Sequence, residues 1–148
     1  MAINQIEIEG LDEVVRTLQR VGVDVADGLE MIAQAGAEVM ARATTAQAPG
    51  DIAGSIVQET TEKSGQRVSV DVGPDADHFY ALFLEFGTQP HEIRPLNKKA
   101  LNIAGTIRAK AMHPGSAPRP FMRPAFDGNQ DATEAAMGQA TAVAGKIR

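Results

Sequence analysis

The stretch DVADGLEMIAQAGAEVMARATTAQAPG, residues 24–50, carries apolar or small residues at Val25, Leu29, Ile32, Gly36, Val39 and Ala43, every third or fourth position. That spacing puts them on one helical face and predicts a helix from Asp24 to Ala46. Its length would be about 34 Å at 1.5 Å per residue. Asp24, Asp27 and Glu30 near its start and Arg42 near its end suit the helix dipole. Ala48, Pro49 and Gly50 end it, because proline cannot continue the hydrogen-bond ladder. Directly afterwards the period changes to two. Ser55–Thr60 and Gln66–Val72 read as the arms of a hairpin with Ser64-Gly65 near the turn, and Val68, Val70 and Val72 alternate with Arg67, Ser69 and Asp71. Gly73-Pro74 is expected to break the second arm. A long helix followed by a hairpin sets the class as α+β.

Toward the N-terminus, Gln5–Glu9 alternates polar and apolar residues and reads as a half-buried strand ended by Gly10. Leu11–Val21 has the 3,4 spacing of a short helix, with Asp12 as its cap. Toward the C-terminus, His78–Phe86 is apolar in blocks and predicts a short buried helix that holds most of the aromatic side chains. Gly87 would close it in the left-handed conformation. Prolines at 90, 95, 114, 118 and 120 punctuate an irregular segment. Two short strands are expected there, near Ala100–Ile103 and Ile107–Met112, followed by an extended loop over His113–Pro120. Helix resumes at Arg123, with Phe126, Thr133, Met137, Ala140, Ala144 and Ile147 on one stripe that Gly128 and Gly138 weaken. The whole chain, 1–148, thus reads as one α+β domain: a small antiparallel or mixed sheet packed by a long N-terminal helix and a C-terminal helix of about 123–148, with an extended loop of about 87–121.

Composition narrows the functional classes. There is no Cys, which excludes disulfides and thiolate chemistry. No apolar run approaches the ~20 residues that span a bilayer, and Met1–Leu11 carries acids and no basic residue, unlike a secretory signal. The expectation is a protein made in a cytoplasm, with no membrane partner. Alanine occurs 24 times against five Phe, one Tyr and no Trp, so the helices are thin and closely spaced. Thin elements often finish their burial against a neighbour, which raises the expectation of an oligomer. A net charge of −5 argues against a general nucleic-acid binder. The charge is unevenly spread: residues 1–73 hold 12 acids and five Lys/Arg, whereas 91–123 hold seven Lys/Arg and one acid, Glu92. Two readings stay open, either two solvated faces or complementary patches that meet head to tail and set register.

A search for catalytic groups finds little that converges. His91-Glu92 is the one tight His–acid pair, and Pro95 prevents completion of a His-Glu-x-x-His motif. With His113 the pair could form a metal site in a soluble metal-binding or enzymatic domain, although loop histidines are more often solvated surface groups. Arg94, Lys98, Lys99, Arg108 and Lys110 could alternatively serve a nucleic-acid-binding module. No nucleophile elbow, dinucleotide fingerprint or phosphate loop occurs. Glu85 stands out between Leu84 and Phe86. A buried, unpaired carboxylate would be costly, so it is expected at an edge or paired, as an interface or structural contact rather than a general base.

Two blocks carry a family resemblance. The first runs Tyr80-Ala81-Leu82-Phe83-Leu84-Glu85-Phe86-Gly87-Thr88. The second runs His113-Pro114-Gly115-Ser116-Ala117-Pro118-Arg119-Pro120-Phe121-Met122-Arg123-Pro124-Ala125. Together with Ile6–Asp12 and with Ala48-Pro49 before Gly54-Ser55-Ile56, they resemble the gene-product-ten-like tail-component family of HK97-type tailed phages. Asp51-Ile52-Ala53-Gly54 departs from that pattern by being shortened. The resemblance implies a fold similar to tail terminators and a structural protein of the virion neck, made in the host cytoplasm. It implies a homo-oligomeric ring, usually a hexamer, that joins the DNA-filled head to the tail around the DNA channel. Its implied partners are adaptor or stopper proteins of the neck, the tail terminator or tail tube, and DNA that passes through without specific binding. It implies no catalysis and no cofactor. Within the same class the alternative is a tail terminator that caps the tail tube. The residues it points to as interface or motif positions are Tyr80, Glu85, Phe86, Gly87, Thr88, Pro114, Gly115, Pro120, Phe121, Arg123 and Pro124. Phe121 could anchor the proline-rich segment on a neighbour or plug its own core.

Overall fold

The structure, a computed structural model, describes residues 11–21, 24–65, 67–96 and 99–144. The strand expected at Gln5–Glu9 and the end of the C-terminal stripe at Ile147 lie outside the described residues. The chain divides into two compact units, one formed by residues up to Phe79 and from Phe121 onward, the other by Tyr80–Pro120.

In the larger unit, helix α1 spans Leu11–Val21, with Asp12 and Glu13 in its first turn and Arg20 in its last. Asp12 is therefore inside the helix, where it complements the dipole, and not its cap. Helix α2 spans Val25–Gln47. Asp24 caps it: its carboxylate accepts from the Ala26 amide at 2.9 Å and the Asp27 amide at 3.2 Å. Leu29, Ile32 and Gly36 are buried as the spacing predicts. Past Gly36 the buried stripe runs through Met40 and Thr44, and Val39 and Ala43 are only half-buried. The reason is that α2 is covered by two partners, the hairpin and the C-terminal helix described below, so the buried arc is wider than one 3,4 stripe.

A tight 3-10 turn, Gly50–Ser55, follows. It seats Ile52, 1% exposed, in the core, and the Ser55 hydroxyl closes the turn by donating to the Ile52 carbonyl at 2.8 Å. Strands β1 (Ile56–Lys63) and β2 (Val68–Pro74) pair antiparallel, with an irregularity between Thr60 and Glu62. Contrary to expectation, Gly73 and Pro74 stay in the ladder opposite Val57 and Ile56. Proline is tolerated at the last position of an edge strand, where its missing N–H costs no ladder bond. The hairpin is clipped to the start of α2. The Thr60 hydroxyl donates to Glu30 at 3.0 Å, and Lys63 Nζ lies 2.6 Å from Asp27 and 2.7 Å from Glu30.

The C-terminal helix is two helices, α4 (Met122–Asp127) and α5 (Gln130–Ala144), where one was expected. The chain breaks at Gly128, whose amide donates to the Pro124 carbonyl at 3.0 Å. Asn129 restarts it, its carbonyl accepting from the Thr133 amide at 2.9 Å. Thr133, Met137 and Ala144 are buried. Gly36 makes room for this packing: a β-carbon there would lie 2.8 Å from the Met137 sulfur. Leu18, Leu29 and Ala144 form a buried cluster, with Val14, Val25, Met31 and Val68 around it. Burial in this unit thus rests on one long helix shared by a hairpin and a second, alanine-rich helix.

The smaller unit begins with helix α3, Ala81–Phe86. Residues 91–113 form two nested ladders: β3 (His91–Ile93) pairs with β6 (Ala111–His113), and inside them β4 (Leu101–Ile103) pairs with β5 (Thr106–Arg108). The single strand expected over Ile107–Met112 is split, because the chain changes partner at Ala109-Lys110. Ala104 and Gly105 turn the inner hairpin with φ of 50° and 82°, the positive pair a tight two-residue turn demands. The sheet expected as one element is, among the described residues, three two-stranded antiparallel ladders. The α+β class holds.

Candidate functional site

The two sequence blocks meet inside the smaller unit. Thr88 and Ser116 exchange main-chain hydrogen bonds of 3.0 and 3.1 Å, and their hydroxyls lie 3.1 Å apart. The Arg119 amide donates to the Leu84 carbonyl at 2.7 Å, satisfying an acceptor near the end of α3. Both motif glycines are required here. Gly87 has φ +69° and ψ −176°, which is not the left-handed helical cap expected of it but a region that is essentially glycine-only. A β-carbon on Gly87 would collide with the Ser116 carbonyl and come within 2.8 Å of the Pro118 nitrogen. Gly115, at φ +83°, is the mirror case, its would-be β-carbon running into the Thr88 carbonyl. The proline-rich segment is thus docked on the end of α3 by close backbone contact, where the sequence suggested a loose extended loop.

Helix α3 is used the opposite way from expectation. Ala81 and Glu85, one turn apart, are its buried residues, 3% and 5% exposed. Leu82, Phe83 and Phe86 are 53%, 48% and 49% exposed. The segment Ala-Leu-Phe-Leu-Glu-Phe has no polar face, so the pattern left its orientation undecided; the aromatic residues of a helix expected to be buried point outward. Every buried side-chain nitrogen and oxygen among the described residues has a hydrogen-bond partner.

The remaining candidate residues are distributed as follows. Tyr80 is half-buried and its carbonyl accepts from the Phe83 amide at 2.9 Å. Pro114, Pro120 and Arg123 are exposed. Phe121 is 2% exposed within the single chain, so it fills its own core. Pro124 is the third residue of α4, in the first turn, where a missing N–H is harmless.

The histidines are separated from the acid next to them. His91 and His113 face each other across β3 and β6, with ring centroids 5.0 Å apart. His91 Nδ1 bonds the Gln89 carbonyl at 2.9 Å, and His113 Nδ1 accepts from the Gly115 amide at 3.0 Å. Glu92 instead binds Arg94 at 2.6 Å and Lys110 at 2.7 Å. Those hydrogen bonds, Lys110 first, hold its carboxyl below the usual carboxylate range. Successive strand residues point to opposite faces, which is why adjacent His91 and Glu92 do not converge. No group of three or more His, Asp or Glu that could hold a metal ion occurs among the described residues. Arg94 and Lys110 are engaged with Glu92, and Lys98 lies outside the described residues. Among the described rival-site residues, the geometry thus assembles the histidine pair and, apart from it, an ion-pair cluster of Glu92 with Arg94 and Lys110. No described helix is long and apolar enough to cross a membrane.

Sequence reasoning also missed a histidine–carboxylate pair. His78 Nδ1 lies 2.5 Å from Asp75, which also caps a 3-10 turn at Ala76–His78 by accepting from the Asp77 and His78 amides, both at 3.1 Å. The hydrogen bond between them raises the His78 pKa and lowers that of Asp75. The Asp-x-x-His spacing of a capped turn was its only signal.

The two motif blocks are thus joined by main-chain clamps beside a helix whose Leu82, Phe83 and Phe86 are exposed. A protein-family model described as "Bacteriophage HK97-gp10, putative tail-component" matches residues 12–87, which is just over half of the chain. The chain belongs to this family of phage tail components. The match runs from α1 to Gly87, one residue short of the end of the first motif block; the second block lies beyond it. No curated protein and no solved structure matches the chain.

Proposed function

We propose that this tail component is a structural virion protein of the phage neck, forming a ring that joins the DNA-filled head to the tail around the DNA channel, and that it acts by assembly without catalysis or cofactor. The observation that carries the reading is the outward face of Leu82, Phe83 and Phe86 on the motif helix of a chain in a tail-component family. Leaving three large apolar side chains half in water forfeits transfer free energy, roughly 25 cal/mol per Å². A subunit that completes its burial against neighbours recovers it. Ring closure needs one patch on each subunit to meet a different patch on the next, and the acidic and basic stretches of this chain differ enough in charge to supply both.

Deleting the gene from the phage tests the reading. Filled heads and separate tails should accumulate, visible by electron microscopy, and purified protein added in trans should join them. Joined, infectious particles formed without the gene, or a protein that stays monomeric and absent from the particle, would overturn it.

A further inference from the structure

The larger unit carries an open groove of about 520 Å³. Met31 and Ala35 of α2 and Ala140 and Val143 of α5 give it an apolar lining, with polar groups from Gln34, Glu38 and Gln58. The two alanines hollow it out, since neither fills the space between α2 and α5 as a larger side chain would. Val143 is 56% exposed although apolar. A mainly apolar lining with a few polar groups is the composition of a contact surface.

The two units also differ in charge. The larger, residues 1–79 and 121–148, holds 17 acids and eight Lys/Arg, a net charge of −9; the smaller, residues 80–120, holds two acids and six Lys/Arg, a net charge of +4. The division by compact unit is sharper than the division by sequence half. It gives the unit with the groove one sign and the unit with the exposed α3 face the other.

We propose that the α3 face of one copy, Leu82, Phe83 and Phe86, seats in the α2–β1–α5 groove of a second copy. This names the two halves of the contact on which the ring reading rests. A second copy is the occupant because this one chain supplies both an apolar projection and an apolar groove, on units of opposite charge. Opposite fields steer the encounter and fix its register, and the aromatic pair supplies the desolvated anchor. The patches are different surfaces, so the contact is heterologous and repeats around a ring.

The absence of cysteine allows a direct test. Phe83→Cys and Val143→Cys, combined in one full-length chain and carried in assembled particles, are treated with a short bis-maleimide cross-linker. The expected result is a ladder of covalent multimers, with each single variant giving no more than a dimer. An intrachain link alone, or no ladder from particles in which the chain is demonstrably oligomeric, overturns the contact and leaves the ring reading standing. A chain that is monomeric in those particles overturns both. In a second arm, wild-type and Phe83→Asp chains are co-expressed and their ratio in particles is read by mass spectrometry. The variant should be under-represented at least about tenfold, the scale of a lost hot spot, while a Phe83→Leu chain, which keeps an apolar side chain there, is incorporated like wild type. Equal incorporation of the Phe83→Asp chain overturns the proposal.

Discussion

At Gly87 the backbone holds φ +69° and ψ −176° with the Ser116 carbonyl where a β-carbon would stand. Gly87→Ala should therefore cost about 1–3 kcal/mol from backbone strain, beyond the clash itself. Hydrogen exchange at the Thr88 and Ser116 amides should quicken with it, and an unchanged exchange rate would contradict the close approach. His78 and Asp75 make a different demand, on pH. The folded pKa of His78 is raised above 6.5, chiefly by its hydrogen bond to Asp75, so its contribution is complete below 6.5 and is lost as pH rises through the raised value. That of Asp75 is lowered from 3.8, chiefly by the same bond, so its contribution is complete above 3.8 and is lost as pH falls through the lowered value. The advantage of wild type over His78→Gln in urea midpoint should be greatest between 3.8 and 6.5 and shrink on the alkaline side; a pH-independent difference would remove the ion pair as its source. At this scale the sequence was a poor guide. Glu85 was recognisable as anomalous, but which way it pointed depended on neighbours, because Leu82, Phe83 and Phe86 offered no polar alternative.

Elements with a strong period were legible. Helix α1 has the expected limits, α2 differs by one residue at each end, and the hairpin lies where the period changed. Elements of three residues were not legible in full, since β3, β4, β5 and β6 are too short to show an alternation. The break between α4 and α5 was visible as Gly128, but glycine alone does not tell a weakened helix from an interrupted one. The pairing of α2 with α5 makes a quantitative demand. Met137 is 7% exposed and faces Gly36. Met137→Ala should lower unfolding free energy by about 2–5 kcal/mol, measured by urea denaturation. A smaller loss would mean that the alanine-rich contact collapses around the gap.

On the scale of the molecule, the feature that composition announced and structure sharpened is charge. The sequence showed an acidic half and a basic stretch, but solvated faces explained them as well as contacts did. Their coincidence with two compact units, −9 and +4, favours the contact. The corresponding prediction concerns rate. Lys99 and Arg108 are exposed, and neither takes part in an ion pair among the described residues. Replacing both by Glu takes the smaller unit from +4 to zero without removing an observed contact. The melting temperature should hold. Joining of purified heads and tails by the added protein should slow several-fold at about 0.1 M salt, because steering by opposite fields acts on encounter. At about 1 M the Debye length falls from about 10 Å to about 3 Å, and the variant and wild type should converge. Equal rates at low salt would mean that the opposite charges of the two units serve solubility alone, and that register is set by the apolar contact without electrostatic help.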